Sequence, residues 1–197
     1  MTVWGVLAGG RGQRFGEPKV TASVAGRTFL DVVLQRIAVC AAPGDRVIVS
    51  IALGDPEGVV SLISSLGPAF PIDVIADATK DPGPAHAVGR LSKSVARSDN
   101  CLVTVAVDQL RVRVDDLEAL RDCAKSHPNS ISVASGPNGR HWVFASIPYG
   151  LAAKISRDAE SVNSLQSLYL LNEIHDVAVM PESLIDVNTR SLLPGVE

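Results

Sequence analysis

The sequence predicts a three-layer α/β fold on a mainly parallel sheet with one antiparallel element, and three observations predict it. Short Val- and Ile-rich runs alternate with helical patterns almost from end to end, the order that builds βαβ units and a parallel sheet. Two late strand-like runs, 130–135 and 142–147, are separated by Gly136-Pro137-Asn138-Gly139, a turn of the hairpin kind. Finally, the 197 residues show no internal repeat, low-complexity stretch or linker, so residues 1–197 are expected to form a single domain.

The elements follow in order. Val3 to Ala8 is apolar and broken by glycine, as suits a buried strand feeding a loop. From Thr28 the period becomes helical, with Leu30, Val33, Leu34 and Ile37 on one face, Thr28 as N-cap and Asp31 in the first turn. Arg46 to Leu53 is a β-branched strand, and a helix from Pro56 to Leu66 is ended by Gly67-Pro68. Ile72 to Ala76 is a strand, Asp77 to Pro84 a turn, and Ala85 to Arg97 a helix. Cys101 to Val107 has the longest apolar run, which suits a central strand. Asp115 and Glu118 form a D-x-x-E capping pattern for a helix with Leu117, Leu120 and Ala124 on one face. After the hairpin come helical patches at 148–157 and 162–173 and a last strand at Val177 to Met180.

Composition narrows the function. Hydrophobic residues make up 46% of the chain and aromatics only 4%, so the core rests on Val, Leu, Ile and Ala. The net charge is −3, with Lys and Arg scattered rather than clustered, so no nucleic-acid partner is expected. No apolar run is long enough to cross a bilayer and no signal-peptide pattern opens the chain; a cytoplasmic protein without a membrane partner is expected. Cys40, Cys101 and Cys123 lack metal-type spacing and read as buried small hydrophobes. His86, His127 and His175 also lack such spacing and read as structural or exposed.

The segment Leu7-Ala8-Gly9-Gly10-Arg11-Gly12-Gln13-Arg14-Phe15-Gly16-Glu17-Pro18-Lys19 carries the strongest signal. Glycines let the backbone approach a phosphate and aim N–H groups at its oxygens, while Arg14 and Lys19 supply positive charge. Gly9, Gly10, Arg14 and Lys19 are therefore expected to hold a nucleoside triphosphate. Spacing excludes a Walker A loop, because Glu17 and Pro18 stand between Gly16 and Lys19. It also excludes the dinucleotide fingerprint, which needs a third glycine where Phe15 stands.

The loop resembles the signature L-A-G-G-x-x-x-R-M-G-x-D-K of the nucleotidyltransferases related to molybdenum cofactor guanylyltransferase, with Phe15 for Met and Glu17-Pro18 before the lysine. Asp77 followed by Asp81-Pro82-Gly83-Pro84 resembles that family's aspartate and P-G-P-L-A-G segment, with Ala85-His86-Ala87 replacing Leu-Ala-Gly. Val107-Asp108-Gln109-Leu110 stands where the family has C-D-x-P, with Val107 for the cysteine and Leu110 for the proline. Asn138-Gly139-Arg140-His141 is similar to a G-x-x-H-P-T segment but continues with Trp142-Val143, and His141 takes no role from it. Asp186-Val187-Asn188-Thr189 resembles D-[IV]-N-T.

The resemblance implies a Rossmann-like nucleotidyltransferase fold and Mg²⁺ as cofactor. It places Leu7, Ala8, Gly9, Gly10, Lys19, Asp77 and Asp108 at the nucleotide, Arg14, Lys19 and Asp108 in catalysis, and Asp108 at the metal, with Asp186 and Asn188 as further metal candidates. The implied partners are a nucleoside triphosphate, GTP favoured by the L-A-G-G form of the loop, and a phosphorylated acceptor such as molybdopterin. The implied reaction is attack of the acceptor phosphate on the α-phosphorus with release of pyrophosphate. It needs no side-chain nucleophile, in keeping with the lack of a Ser–His–Asp or Cys–His pattern. Two alternatives stay open: a cytidylyltransferase of the same superfamily, and a non-catalytic nucleotide-binding paralogue.

Overall fold

The computed structural model describes residues 1–9, 18–51, 56–66, 71–76 and 83–187. Its elements are β1 (Thr2–Leu7), β2 (Ser23–Val24), β3 (Arg27–Thr28), α1 (Phe29–Cys40), β4 (Arg46–Ile51), α2 (Pro56–Leu66), β5 (Ile72–Ala76), α3 (Gly83–Lys93), β6 (Cys101–Ala106), α4 (Val114–Ser126), β7 (Ser130–Gly136), β8 (Gly139–Pro148), α5 (Tyr149–Asp158), α6 (Leu165–Tyr169) and β9 (Glu173–Ala178), followed by a 3₁₀ turn at Pro181–Leu184.

Seven strands form one sheet in the order β5-β4-β1-β6-β8-β7-β9. Only β8 runs against the others; it pairs antiparallel with both β6 and β7, whereas the remaining pairs are parallel. Strands β1, β4 and β6 carry continuous buried runs because helices cover both of their faces. One core joins alternate strand residues such as Trp4, Val49, Val103 and Phe144 to α1, α2 and α4. The other joins Val3, Ile48, Leu102 and Ile147 to α3, α5 and α6. The result is the expected three-layer α/β architecture.

Local chemistry explains the helix ends. Thr28 caps α1 as expected, its hydroxyl accepting from the Asp31 N–H at 3.2 Å. Two close approaches position α3. A Cβ on Gly5 of β1 would meet Leu91 at 2.9 Å, and one on Gly89 would meet the Ala159 Cβ at 2.5 Å. The small β2–β3 hairpin, which the sequence reading lacks, turns through Ala25 and Gly26, both at positive φ.

Several boundaries differ from expectation. Helix α3 stops at Lys93, not Arg97, because the Asp99 carboxylate takes the Ala96 N–H at 2.8 Å and pairs with Arg46, which in turn donates to the Ser94 carbonyl. Helix α4 starts at Val114 with Arg113 as its cap residue, so Asp115 is no N-cap. Its neighbour Asp116 is the buried acid, accepting from the Met180 N–H at 3.2 Å and the Ser183 hydroxyl at 2.6 Å. The 162–173 patch yields only the short α6. The last strand begins at Glu173 rather than Val177, in parallel register with β7 from Ser130↔Glu173. Cys40 and Cys101 are buried, but Cys123 is only half-buried.

Candidate active site

Strands β1, β4, β5 and β6 point their C-terminal ends to one edge of the sheet, where open α/β sheets place ligands. There the Ala8 N–H donates to Ser50 at 2.7 Å and the Val107 N–H to Leu7 at 3.0 Å, which holds the start of the glycine-rich loop beside the end of β6. Asp108 follows directly and is 8% exposed. Lys19, set in a turn whose Thr21 and Ala22 N–H groups both donate to the Pro18 carbonyl, forms a partly buried ion pair with the Asp108 carboxylate.

The C-terminal segment reaches the same edge. The Val187 N–H donates to the Asp108 carbonyl at 3.0 Å. Asp186, one residue earlier, lies near enough for its charge to raise the Asp108 pKa. Burial is the largest cause of that rise, and the hydrogen bond from Lys19 opposes it. The segment is docked by Gln109, which is fully buried. Its side-chain carbonyl accepts from the Ala106 N–H at 2.8 Å, and its amide donates to the Ser183 carbonyl at 3.0 Å. Ser183 also accepts from the Arg113 N–H at 3.0 Å.

His141 arrives from the hairpin. The β7–β8 register jumps from Val133↔Ala145 to Ala134↔His141, leaving Trp142, Val143 and Phe144 in a bulge. Bulges of this kind re-aim side chains, and the Thr104 hydroxyl holds this one by donating to the Val143 carbonyl at 2.6 Å. The His141 Nε2 then stands 3.1 Å from Asp186 Oδ1; facing a carboxylate, that nitrogen is the donor. On the other face of β4, Arg90 of α3 donates to the Ser50 hydroxyl at 3.2 Å, beside the residues that open the loop. Burial lowers the pKa of this guanidinium.

Leu7, Ala8 and Gly9 thus lead off the end of β1, and Lys19, Asp108 and Asp186 converge at the same edge. Gly10, Arg14, Asp77 and Asn188 lie outside the described residues. Ala85 and Ala87, which replace larger or more flexible family residues, are buried on α3 and pack its face. Gln109, His141 and Arg90 escaped the sequence reading. A histidine just past the hairpin turn was a signal for His141. Nothing in the spacing marks Gln109 as a docking residue, and Arg90 reads with Lys93 as the basic last turn of α3.

Chemically, the edge offers two carboxylates, an ammonium group and the backbone that opens a glycine-rich loop. Such an oxygen donor set suits a hard divalent cation, which takes one or two carboxylates plus phosphate oxygens and water. Among the described residues no helix is long and apolar enough to cross a membrane.

Comparison with known proteins gives the fold and the family. A molybdenum cofactor guanylyltransferase of Mesorhizobium japonicum is 31% identical over 147 residues, 73% of this chain and 65% of that protein. The chain therefore spans about two thirds of that relative's length. Among solved structures, the 4-diphosphocytidyl-2C-methyl-D-erythritol synthase of Anaerococcus prevotii shares the fold with a TM-score of 0.74 at 12% identity, covering 97% of this chain and 92% of that one. A Mycobacterium tuberculosis protein solved in complex with manganese has a TM-score of 0.65 at 17% identity, covering 90% and 88%. The profile of the MobA-like NTP transferase domain matches residues 5–175, and the chain belongs to that family.

Proposed function

We propose that this chain is a Mg²⁺-dependent nucleotidyltransferase that moves GMP from GTP to molybdopterin cofactor and releases pyrophosphate. The observation that carries the reading is the convergence of Lys19, Asp108 and Asp186 at the sheet edge where the glycine-rich loop begins. The guanine and molybdopterin assignments draw on the Mesorhizobium relative. The manganese bound by the structural relative supports a divalent ion.

In this reading Asp108 holds the metal, with Asp186 as second ligand; Asn188 and Asp77 join the metal and nucleotide sites respectively. When bound, the ion offsets charge on the phosphate oxygens and polarises the α-phosphorus. The buried Asp108 carboxylate, whose ionised form is penalised by burial and by Asp186, gains from a cation more than an exposed carboxylate does. His141 orients the Asp186 carboxylate through its Nε2–H.

Lys19 balances Asp108 and donates to the phosphates, and Leu7, Ala8, Gly9, Gly10 and Arg14 complete the cradle. An oxygen of the acceptor phosphate attacks the α-phosphorus, the bond to the bridging oxygen breaks, and pyrophosphate leaves with its electron pair. The acceptor is ionised at neutral pH, so no side chain need remove a proton. The main barrier is repulsion between anions, which fixed positive charge lowers.

The structural likeness to a cytidylyl enzyme keeps that base as the second reading. The test supplies GTP, CTP, ATP or UTP in turn with Mg²⁺ and molybdopterin and follows pyrophosphate. Release with GTP well above the other three is expected, and Asp108→Ala should lower turnover by about 10²–10³-fold. Preference for CTP would move the assignment to the cytidylyl reading. Pyrophosphate from none of the four would refute transfer to this acceptor and favour the non-catalytic paralogue.

A further inference from the structure

We propose a second metal site, for zinc, formed by Cys123, His127 and His175, which ties edge strand β9 to the end of helix α4. In sequence the three residues show no metal-type grouping, since His175 is far from the others. The fold removes that separation. Cys123 and His127 stand four residues apart at the end of α4, so their side chains leave the same helix face. His175 is the third residue of β9, and the alternation that sends Val177 into the core beneath α4 turns His175 to the same side.

The ligand-bearing atoms of the three residues all lie within 4.8 Å of one another, the one such cysteine–histidine–carboxylate group among the described residues. Cys123 Sγ is 3.4 Å from His127 Nδ1. A thiolate and an imidazole on one tetrahedral zinc ion, at about 2.3 and 2.1 Å, are roughly 3.6 Å apart, so the pair has ligand spacing once Nδ1 gives up its contact with the Cys123 carbonyl, 3.2 Å away. The His127 and His175 rings stack with centroids 3.8 Å apart and planes 24° apart. Two imidazoles on one tetrahedral ion hold their centroids about 5 Å apart, so the stacked rings swing apart to take it.

All three residues are half-buried, which leaves them accessible to an ion yet partly shielded from water. A further polar group lies on the floor. Ser132, opposite His175 in the parallel register, is fully buried, and its hydroxyl has no hydrogen-bond partner among the described residues.

Thiolate and imidazole together select a soft or borderline ion over Mg²⁺, and three protein ligands leave a fourth position for water. His175 is level with Ser132, Ser146 and Val103 across three strand spacings. Asp108 lies five residues beyond Val103, so the two sites are on the order of 20 Å apart. This zinc therefore takes no part in phosphate chemistry. It staples the sheet edge from which the chain runs to the 3₁₀ turn and Asp186.

The test uses the metal-free full chain with magnesium in large excess, so that the carboxylate site is occupied. One equivalent of Zn²⁺ should bind, and at a hundredfold excess over Kd should raise the thermal midpoint by roughly 5–10 °C. Co²⁺ in its place should show a thiolate-to-metal charge-transfer band and the strong visible bands of a tetrahedral complex. Cys40 and Cys101 are buried, which leaves Cys123 as the source of that band. Cys123→Ser should abolish it, His175→Gln should weaken Zn²⁺ binding at least tenfold, and Asp108→Ala should leave both intact. No charge-transfer band in the unmodified protein, or loss of zinc binding in Asp108→Ala, would overturn the proposal. The wild-type spectrum needs no variant to fold.

Discussion

Replacing Gln109 by alanine tests whether the end of β6 and the C-terminal segment are one mechanical unit. The side chain is fully buried and makes two hydrogen bonds, at 2.8 Å from the Ala106 N–H and at 3.0 Å to the Ser183 carbonyl. Truncation leaves both backbone groups without these partners in a dry site, at about 1–3 kcal/mol each. Loss of the methylene and amide packing adds to this, so a total near 3–5 kcal/mol is expected.

Catalysis should suffer separately from stability. Ser183 lies three residues before Asp186, and Val187 donates to the Asp108 carbonyl, so a loosened 3₁₀ turn lets the two carboxylates drift apart. Under conditions where the variant is still folded, turnover should fall by at least tenfold, with a smaller change in the KM for the nucleotide. Gln109→Glu supplies the control. It keeps shape and acceptor but loses the donor when ionised, so its stability should recover as pH falls and the protonated carboxyl donates to Ser183 again. Urea unfolding and pyrophosphate release measure both effects. A cost below about 1 kcal/mol for Gln109→Ala, or unchanged turnover, would refute the docking role.

Two further predictions concern the scaffold. Gly89→Ala should destabilise by about 1–2 kcal/mol, because overpacking against the Ala159 Cβ at 2.5 Å outweighs the gain in helix propensity; adding Ala159→Gly should recover most of the loss, and a purely additive double mutant would refute the contact. Burial pushes Cys40 up to about 12 and Cys101 up to about 11 from 9.0, so their stabilising contribution is intact below pH 9.0 and is lost as pH rises towards 11–12. At pH 10 the loss is about 1.4 kcal/mol per thiol, and replacing both by alanine should shrink the pH 8-to-10 change in unfolding free energy by about 3 kcal/mol; an unchanged difference would refute the shift.

The layers were legible because the chain keeps its periods. The β-branched runs at 46–51 and 101–106 and the i, i+3, i+4, i+7 face beginning at Leu30 each point to one element and no rival. Asp108 and Asp186, singled out by resemblance, lie with Lys19 at one sheet edge, whereas residues 10–17 of the glycine-rich loop lie outside the described residues. The misreadings share a physical cause. Helix α3 is cut short by Asp99 and Arg46, and the start of α4 is set where Arg113 meets Ser183, 70 residues on. Strand β9 begins early because β7 offers it a register. Each is a tertiary contact that overrides a local pattern, and local patterns were all the sequence offered there. The Cys123–His127–His175 group was missed for the same reason: one of its members comes from another element.

These long-range contacts also bear on why the family motifs tolerate erosion here. Proline in the C-D-x-P segment restricts the chain just beyond the aspartate. This chain has Leu110 instead, buried in the core at 3% exposure. The turn is held by the Ala106 N–H to Gln109 side-chain bond, the Gln109 N–H to the Ala106 carbonyl at 3.1 Å and the Val112 N–H to the Gln109 carbonyl at 3.1 Å. In this chain the turn is constrained by hydrogen bonds from the Gln109 side chain and backbone. Hydrogen bonding also holds the hairpin. There the G-x-x-H-P-T pattern loses its Pro-Thr to Trp142-Val143, yet Thr104 grips the bulge and delivers His141 to Asp186. At Asp108 and His141, then, it is hydrogen bonds, and not the family's proline or Pro-Thr, that set the local geometry.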